Sequence, residues 1–212
     1  MKSYNEKVKM IYKMLSRVYD LMDIILFSNK KSNPRKGLSD QLPNEYINIL
    51  DVCCGTGNSS IAIGSKNSNN TIVGIDLSKD MLKVARKKIL KHNFSNISFK
   101  EMNAVNMEFA DEYFDVVTIS LALHEMPQEV ISPILSEISR VLKVGGKFYI
   151  IDWEKPKDFF SSILFSIFPA LFEPKVFKQF LNINWINLLH QYNLELEDIK
   201  IYNFTKLITA TK

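Results

Sequence analysis

Along this chain the apolar residues change their period, and the change marks out the architecture. Over residues 4–27, Val8, Ile11, Tyr12, Leu15, Val18, Tyr19, Met22, Ile25 and Leu26 recur every three or four positions, which predicts one or two amphipathic helices. The polar stretch 28–44, broken by Pro34, Gly37 and Pro43, reads as a loop or short irregular linker. From there on, short apolar runs alternate with helix-period segments. Strands are expected at 46–53, at Thr71-Ile72-Val73-Gly74-Ile75-Asp76, more weakly at 97–100, at Phe114-Asp115-Val116-Val117-Thr118-Ile119-Ser120 and at Lys147-Phe148-Tyr149-Ile150-Ile151-Asp152. Helices are expected between them at 59–66, from an N-cap at Ser78 through Met81, Leu82, Val84, Ala85 and Ile89, and at 128–142. Lys143-Val144-Gly145-Gly146 reads as the turn before the last of these strands, and 197–202 with 206–211, joined at Asn203, as a terminal antiparallel pair. Strands alternating with helices imply parallel pairing through right-handed crossovers, with ligands at the carboxyl ends of the strands.

Residues 159–169 are apolar almost all round, but the run is too short, and too interrupted by Pro169, to span a bilayer, which takes about 20 residues. A lid over the ligand crevice, a subunit contact or a peripheral membrane contact remain for residues 159–172. The lid is preferred because the segment follows the carboxyl end of a strand. With 212 residues, 46% hydrophobic and 24% charged, the chain is long and apolar enough for one full core. The net charge of +4 comes from lysines spread along the sequence, not from a basic stripe, so nucleic acid is not an expected partner. Two cysteines, Cys53 and Cys54, are adjacent, with no spaced Cys/His set for a metal and no disulfide framework; a reducing cytoplasm fits. The amino terminus carries no signal-peptide apolar run. Nothing in the sequence sets an oligomeric state.

The candidate chemistry begins where the first strand breaks into Asp51-Val52-Cys53-Cys54-Gly55-Thr56-Gly57. Gly55 and Gly57 can take backbone angles closed to other residues and let a ligand lie against the main chain. Asp76, ending the second strand, is placed to accept hydrogen bonds from both hydroxyls of a ribose, as in nicotinamide enzymes. A nicotinamide site fits less well, because the third glycine of that fingerprint falls on Ser60.

These segments resemble the class I S-adenosylmethionine-dependent methyltransferases, and more closely the UbiE-like branch of ubiquinone and menaquinone biosynthesis. The glycine turn resembles the first motif of the family, and Val73-Gly74-Ile75-Asp76-Leu77-Ser78-Lys79-Asp80-Met81-Leu82 the second-strand motif. Phe114-Asp115-Val116-Val117 resembles the fourth-strand motif, Arg140-Val141-Leu142-Lys143-Val144-Gly145-Gly146 the turn before the fifth strand, and Arg17-Val18-Tyr19-Asp20 the amino-terminal segment that folds over the cofactor. The resemblance implies an α/β, Rossmann-like, mostly parallel sheet of seven strands in the order 3-2-1-4-5-7-6. Strand 7 would be antiparallel, with helices on both faces and an amino-terminal helical cap. It also implies a single domain, with residues 1–44 as arm and linker, 45–155 as cofactor-binding core, 156–193 as lid and substrate helices, and 194–212 as terminal strands.

Carried over, the resemblance implies S-adenosylmethionine as cofactor. Gly55 and Gly57, with Thr56 between them, would approach its methionine moiety, and Asp51 would help hold the amino end. Asp76 would hold the ribose, Leu77 and Met81 would pack near the adenine, and Asn103 and Ala104 would sit beside its exocyclic amine. Ser120, ending the fourth strand, completes the expected cofactor contacts. Methyl transfer is an in-line displacement in which positioning of the acceptor supplies much of the acceleration. A base is needed only for a protonated acceptor, and His124 is the candidate, against a purely structural role in the loop. Glu125 reads as a helix-start carboxylate or an orienting group for His124. Tyr19 and Trp153 are candidate substrate contacts, each with packing as the competing reading. The quinone branch carries an Arg-Asn pair where this chain has His124-Glu125, so the acceptor is expected to be a small metabolite, with hydrophobic ones among the candidates. A non-catalytic S-adenosylmethionine-binding partner or sensor is the alternative.

Overall fold

The computed structural model describes residues 33–43, 45–156 and 174–212. Seven strands, β1 (Asn48–Val52), β2 (Thr71–Asp76), β3 (Ile97–Glu101), β4 (Phe114–Ser120), β5 (Leu142–Trp153), β6 (Glu195–Tyr202) and β7 (Thr205–Thr211), form one sheet. Their order is β3-β2-β1-β4-β5-β7-β6, as the resemblance implies. The pairs among the first five strands are parallel, and β7 runs antiparallel to both β5 and β6. β1 therefore lies between β2, reached next along the chain, and β4, reached only after β3. A crevice opens beyond the carboxyl ends of β1 and β4, because the crossovers leave in opposite directions there.

The period-two alternation of strands divides the apolar residues between two layers. Leu50, Val117 and Ile150 pack into one core with Ile134 and Ile138, while Ile49, Val116 and Ile151 pack into the other with Leu82 and Ala85. The helices that cover these layers are α1 (Pro34–Gln41), α2 (Asn58–Gly64), α3 (Lys79–Lys91), α4 (Gln128–Val141), α5 (Pro174–Leu181) and α6 (Trp185–His190). α3 starts where expected, with the Ser78 hydroxyl accepting from the Met81 amide at 3.3 Å. α4 buries Ile131, Ile134, Leu135, Ile138 and Val141, one face at helical spacing. β6, at the sheet edge, is largely exposed and carries Glu195, Glu197, Asp198 and Lys200, charges that discourage pairing with another chain.

Two elements depart from the sequence reading. The expected linker contains α1. Asn33 caps it, its side-chain oxygen accepting from the amides of Arg35 at 2.9 Å and Lys36 at 3.4 Å. Pro34 occupies the first turn, where a missing N–H is harmless. Pro34 thus starts a helix instead of breaking the chain. The second departure is at Lys143-Val144-Gly145-Gly146, which lies inside β5, the pairing to β4 shifting register between Phe114 and Val116. The amino-terminal helical arm with Tyr19, and the apolar segment 159–172, lie outside the described residues. Among the described residues no helix is long and apolar enough to cross a membrane.

Candidate functional site

A cavity opens at the carboxyl ends of β1, β2 and β4, lined by residues of the glycine turn, by Asp51, Asp76, Leu77, Met81, Asn103 and Ala104, and by Ser120 to Ala122 with Glu125 and Met126. The structure thus brings together most of the residues singled out from the sequence. The turn is tied down from behind: the Cys54 amide donates to the Ile75 carbonyl at 2.9 Å, and the Gly55 amide to Asp76 Oδ2 at 2.9 Å. Cys53, Gly55 and Gly57 all take left-handed backbone angles, with φ of 55°, 53° and 78°.

The two glycines do different work. A Cβ on Gly55 would meet nothing within 4 Å, so its open face borders ligand space. A Cβ on Gly57 would lie 2.6 Å from the Phe99 ring, and Gly57 does not border the cavity; it is a packing glycine.

The charged groups show what the cavity can hold. Asp51 is fully buried, and burial raises its carboxyl to about 6 against the lowering effects of Ser60 and Arg35. The Ser60 hydroxyl donates to Asp51 Oδ2 at 2.5 Å, while Asp51 Oδ1 and the Ser120 hydroxyl have no partner among the described residues. An unpartnered buried carboxylate oxygen is matched by a cationic donor such as an ammonium group. Burial raises the Asp76 carboxyl, against the lowering effect of the amides of Ser78, which donates at 2.8 Å, and Gly55. Each of its oxygens keeps a second lone pair for a ligand hydroxyl. The Asn103 side-chain oxygen accepts from the Val105 amide at 3.2 Å, which fixes the amide plane at the cavity wall.

Arg35 is a cavity residue that the sequence reading missed. It is buried, and its Nε donates to the Ser59 hydroxyl at 2.8 Å. The signal that could have found it is Asn33-Pro34, a cap and first-turn proline that start the helix carrying it.

At the other end of the cavity the structure separates two neighbours. His124 is 2% exposed and does not line the cavity. Its Nδ1 lies 2.7 Å from Asp152 Oδ1, and its Nε2 accepts from the Trp153 indole N–H at 3.2 Å. That pairing assigns the ring proton to Nδ1. Asp152 Oδ2 accepts in turn from the amides of Leu123 at 3.1 Å and His124 at 3.3 Å. The imidazole packs against Trp153, Phe177 and Phe180, at centroid distances of 6.0, 5.9 and 6.1 Å. Trp153 likewise lies behind the wall, 6% exposed. Glu125 faces the cavity instead, with Oε1 3.5 Å from His124 Nε2. Burial first, and the Asp152 charge second, push its carboxyl up to about 8. Among the described residues no group of three His, Cys, Asp or Glu side chains could hold a metal ion.

The model of the ubiE/COQ5 methyltransferase family matches residues 1–191. The demethylmenaquinone methyltransferase of Alkalihalophilus pseudofirmus is 32% identical over 155 residues, covering 71% of this chain and 64% of that protein. The demethylmenaquinone methyltransferase of Listeria monocytogenes is 33% identical over 153 residues, again covering 71% and 64%. The matched region thus spans about 64% of the length of these relatives. Among solved structures, a SAM dependent methyltransferase from Aquifex aeolicus aligns with a TM-score of 0.68 at 18% identity, covering 99% of this chain and 97% of that one. A putative S-adenosyl-L-methionine-dependent methyltransferase from Methanococcus maripaludis aligns with a TM-score of 0.71 at 22% identity, covering 94% and 93%. At such identities the two structures share the fold. By its sequence, over nearly its whole length, the chain belongs to the ubiE/COQ5 methyltransferase family.

Proposed function

We propose that this chain is an S-adenosylmethionine-dependent methyltransferase acting on a small hydrophobic acceptor, with a reduced naphthoquinone of the kind named for its relatives as the first candidate. The observation that carries this reading is the open face of Gly55 beside the unpartnered oxygen of Asp51, with Asp76 behind the same turn. The residues fit the cofactor in chemical kind. Asp51 would hold the ammonium group, Arg35 the carboxylate, and Asp76 the ribose hydroxyls. Leu77 and Met81 would cover the adenine, with Asn103 and Ala104 at its edge, and Thr56 and Ser120 would complete the pocket.

When bound, the cofactor supplies a sulfonium methyl that is already electrophilic. The protein then has to place the acceptor in line and exclude water, and placement alone accounts for many orders of magnitude of rate. The apolar wall of Leu121, Ala122, Met126, Val130 and Ile134 suits a hydrophobic ring. In the same reading the chain is one domain working in the cytoplasm, and α5 reaches the acceptor end by packing Phe177 and Phe180 against His124. His124 and Trp153, lying behind the wall, would act on the acceptor through the wall they support.

The test is calorimetric titration with S-adenosylmethionine, followed by detection of S-adenosylhomocysteine formed with a reduced demethylnaphthoquinone. Binding in the micromolar range and acceptor-dependent product are expected. Folded protein that does not bind the cofactor would overturn the proposal, and binding without product on any quinol or metabolite extract would leave a binding protein in place of an enzyme.

A further inference from the structure

Between Ser120 and Ile134 the cavity wall is made by Leu121, Ala122, Met126 and Val130, and Glu125 is the one ionisable side chain among them. Among the described residues the other charged lining groups, Arg35, Asp51 and Asp76, belong to the glycine-turn half. A carboxyl set into the apolar half is expensive to desolvate and does not help packing. Nor does it complete a helix start, since α4 begins only at Gln128.

Resting on the methyltransferase reading above, we propose that Glu125, and not His124, takes the proton of the methyl acceptor, with His124 and Asp152 as positioning residues behind it. The geometry excludes the neighbour. Both ring nitrogens of His124 are engaged, Nδ1 with Asp152 and Nε2 with the Trp153 N–H, and the ring is walled off by Phe177 and Phe180. The Glu125 carboxyl meets the cavity on one side and the His124 Nε2 edge at 3.5 Å on the other. Burial of the carboxyl first, and the negative charge of the buried Asp152 second, oppose a carboxylate at Glu125. Those surroundings bring the carboxyl to about 8, where proton exchange near neutral pH is most effective. Among the described residues, the other charged groups around this end are the Lys206–Glu154 pair, 3.1 Å apart beside Phe180 and Trp185, and the Arg35, Asp51 and Asp76 set across the cavity.

The implied acceptor carries an acidic hydroxyl, phenolic or enolic, conjugated to the carbon that is methylated. The O–H proton passes to Glu125, and the oxygen electrons push to the ring carbon, which forms the new C–C bond as the C–S bond breaks with its electron pair on sulfur. The ring carbon then loses its hydrogen, which returns to the oxygen, and Glu125 releases one proton to water, so one proton leaves per methyl transferred.

Wild type, Glu125→Gln, Glu125→Asp and His124→Gln are compared by three readouts: calorimetric affinity for S-adenosylhomocysteine, kcat against pH with 2-prenyl-1,4-naphthohydroquinone, and the infrared band of the protonated carboxyl. Glu125→Gln is expected to lower kcat by about 100-fold, to keep affinity within about twofold and to lose the limb that rises with pH. Glu125→Asp should restore part of the rate. The wild-type carboxyl band should titrate near pH 8 and be absent from Glu125→Gln, while His124→Gln keeps the band and moves its midpoint. Normal affinity with an unchanged rate and pH profile in Glu125→Gln, or a carboxyl band that titrates in the ordinary carboxylate range, overturns the assignment of Glu125 alone. No affinity in folded wild type overturns the methyltransferase reading, and this assignment with it.

Discussion

Replacing Glu125 by Gln should change how stability depends on pH, and the size of the change follows from the site. The carboxyl is held at about 8 in the folded chain against an ordinary value of 4.5, its side chain 18% exposed beside a buried imidazole and Asp152. Between these two values the folded state binds the proton and the unfolded state does not. Stability therefore falls as pH rises through the window, by up to about 1.4 kcal/mol per pH unit. From pH 5 to pH 8 the loss due to this one group comes to about 3.5 kcal/mol. Glutamine resembles the protonated carboxyl, so the variant should match wild type near pH 5 and exceed it by about that amount at pH 8. Asp51 and Asp76, also raised by burial, tilt both proteins in the same direction and cancel in the difference. Urea unfolding at pH 5, 6, 7, 8 and 9, with m-values compared to confirm the same transition, measures it. Parallel stability curves for the two proteins would refute the reasoning, because Glu125 would then be ionised in the folded protein at neutral pH and could not be held neutral by its surroundings.

Four further outcomes follow from the same geometry. Gly55→Ala should leave a folded protein, the left-handed angle costing about 1 kcal/mol, but weaken S-adenosylhomocysteine more than tenfold in calorimetry; unchanged affinity would remove Gly55 from the ligand contact. Gly57→Ala should instead destabilise the fold by about 2–3 kcal/mol, through overlap with Phe99 and the same backbone strain, and Phe99→Leu should relieve part of it. S-adenosylmethionine affinity should weaken as pH falls through about 6, where Asp51 takes up a proton, and Asp51→Asn should bind weakly at every pH. Asn33→Ala removes the cap of α1 and should cost about 1 kcal/mol of stability; because α1 carries Arg35 to the cavity, cofactor affinity should fall with it.

What the sequence made legible is local and backbone-driven. The run ending in Asp51 is buried, the turn at Gly55 needs a left-handed angle, and Asp76 sits at the end of a strand whose neighbour is fixed by the crossover rule. Each is settled within a few residues, so pattern and spacing find it. Arg35 was hidden because its place depends on α1 folding back onto α2, 24 positions away at Ser59, and because a proline in the first turn resembles a proline that ends a helix. The proposal that gives the acceptor's proton to Glu125 and a positioning part to His124 reverses the sequence expectation for a related reason. Both residues stand on a single turn of 3-10 helix, Leu123–Glu125, too short for any hydrophobic period to say which side chain faces the crevice.

That ambiguity is resolved by backbone strain. Leu121, just past β4, has φ of 52°, and Cys53, just past β1, has φ of 55°. Both are non-glycine residues in the left-handed region, both line the cavity, and each marks the point where one of the two strands flanking the switch point leaves the sheet. Such angles persist only where surrounding contacts hold them. At Leu121 those contacts are its own amide bonded to the Ile151 carbonyl at 2.7 Å, and Asp152 accepting from the amides of Leu123 and His124 just beyond. The strand is thereby turned so that His124 is driven down toward Asp152 while Glu125 is left at the wall. Asp152 therefore bears on the site twice, by holding the amides of Leu123 and His124 and by adding its negative charge to the burial that raises the Glu125 carboxyl.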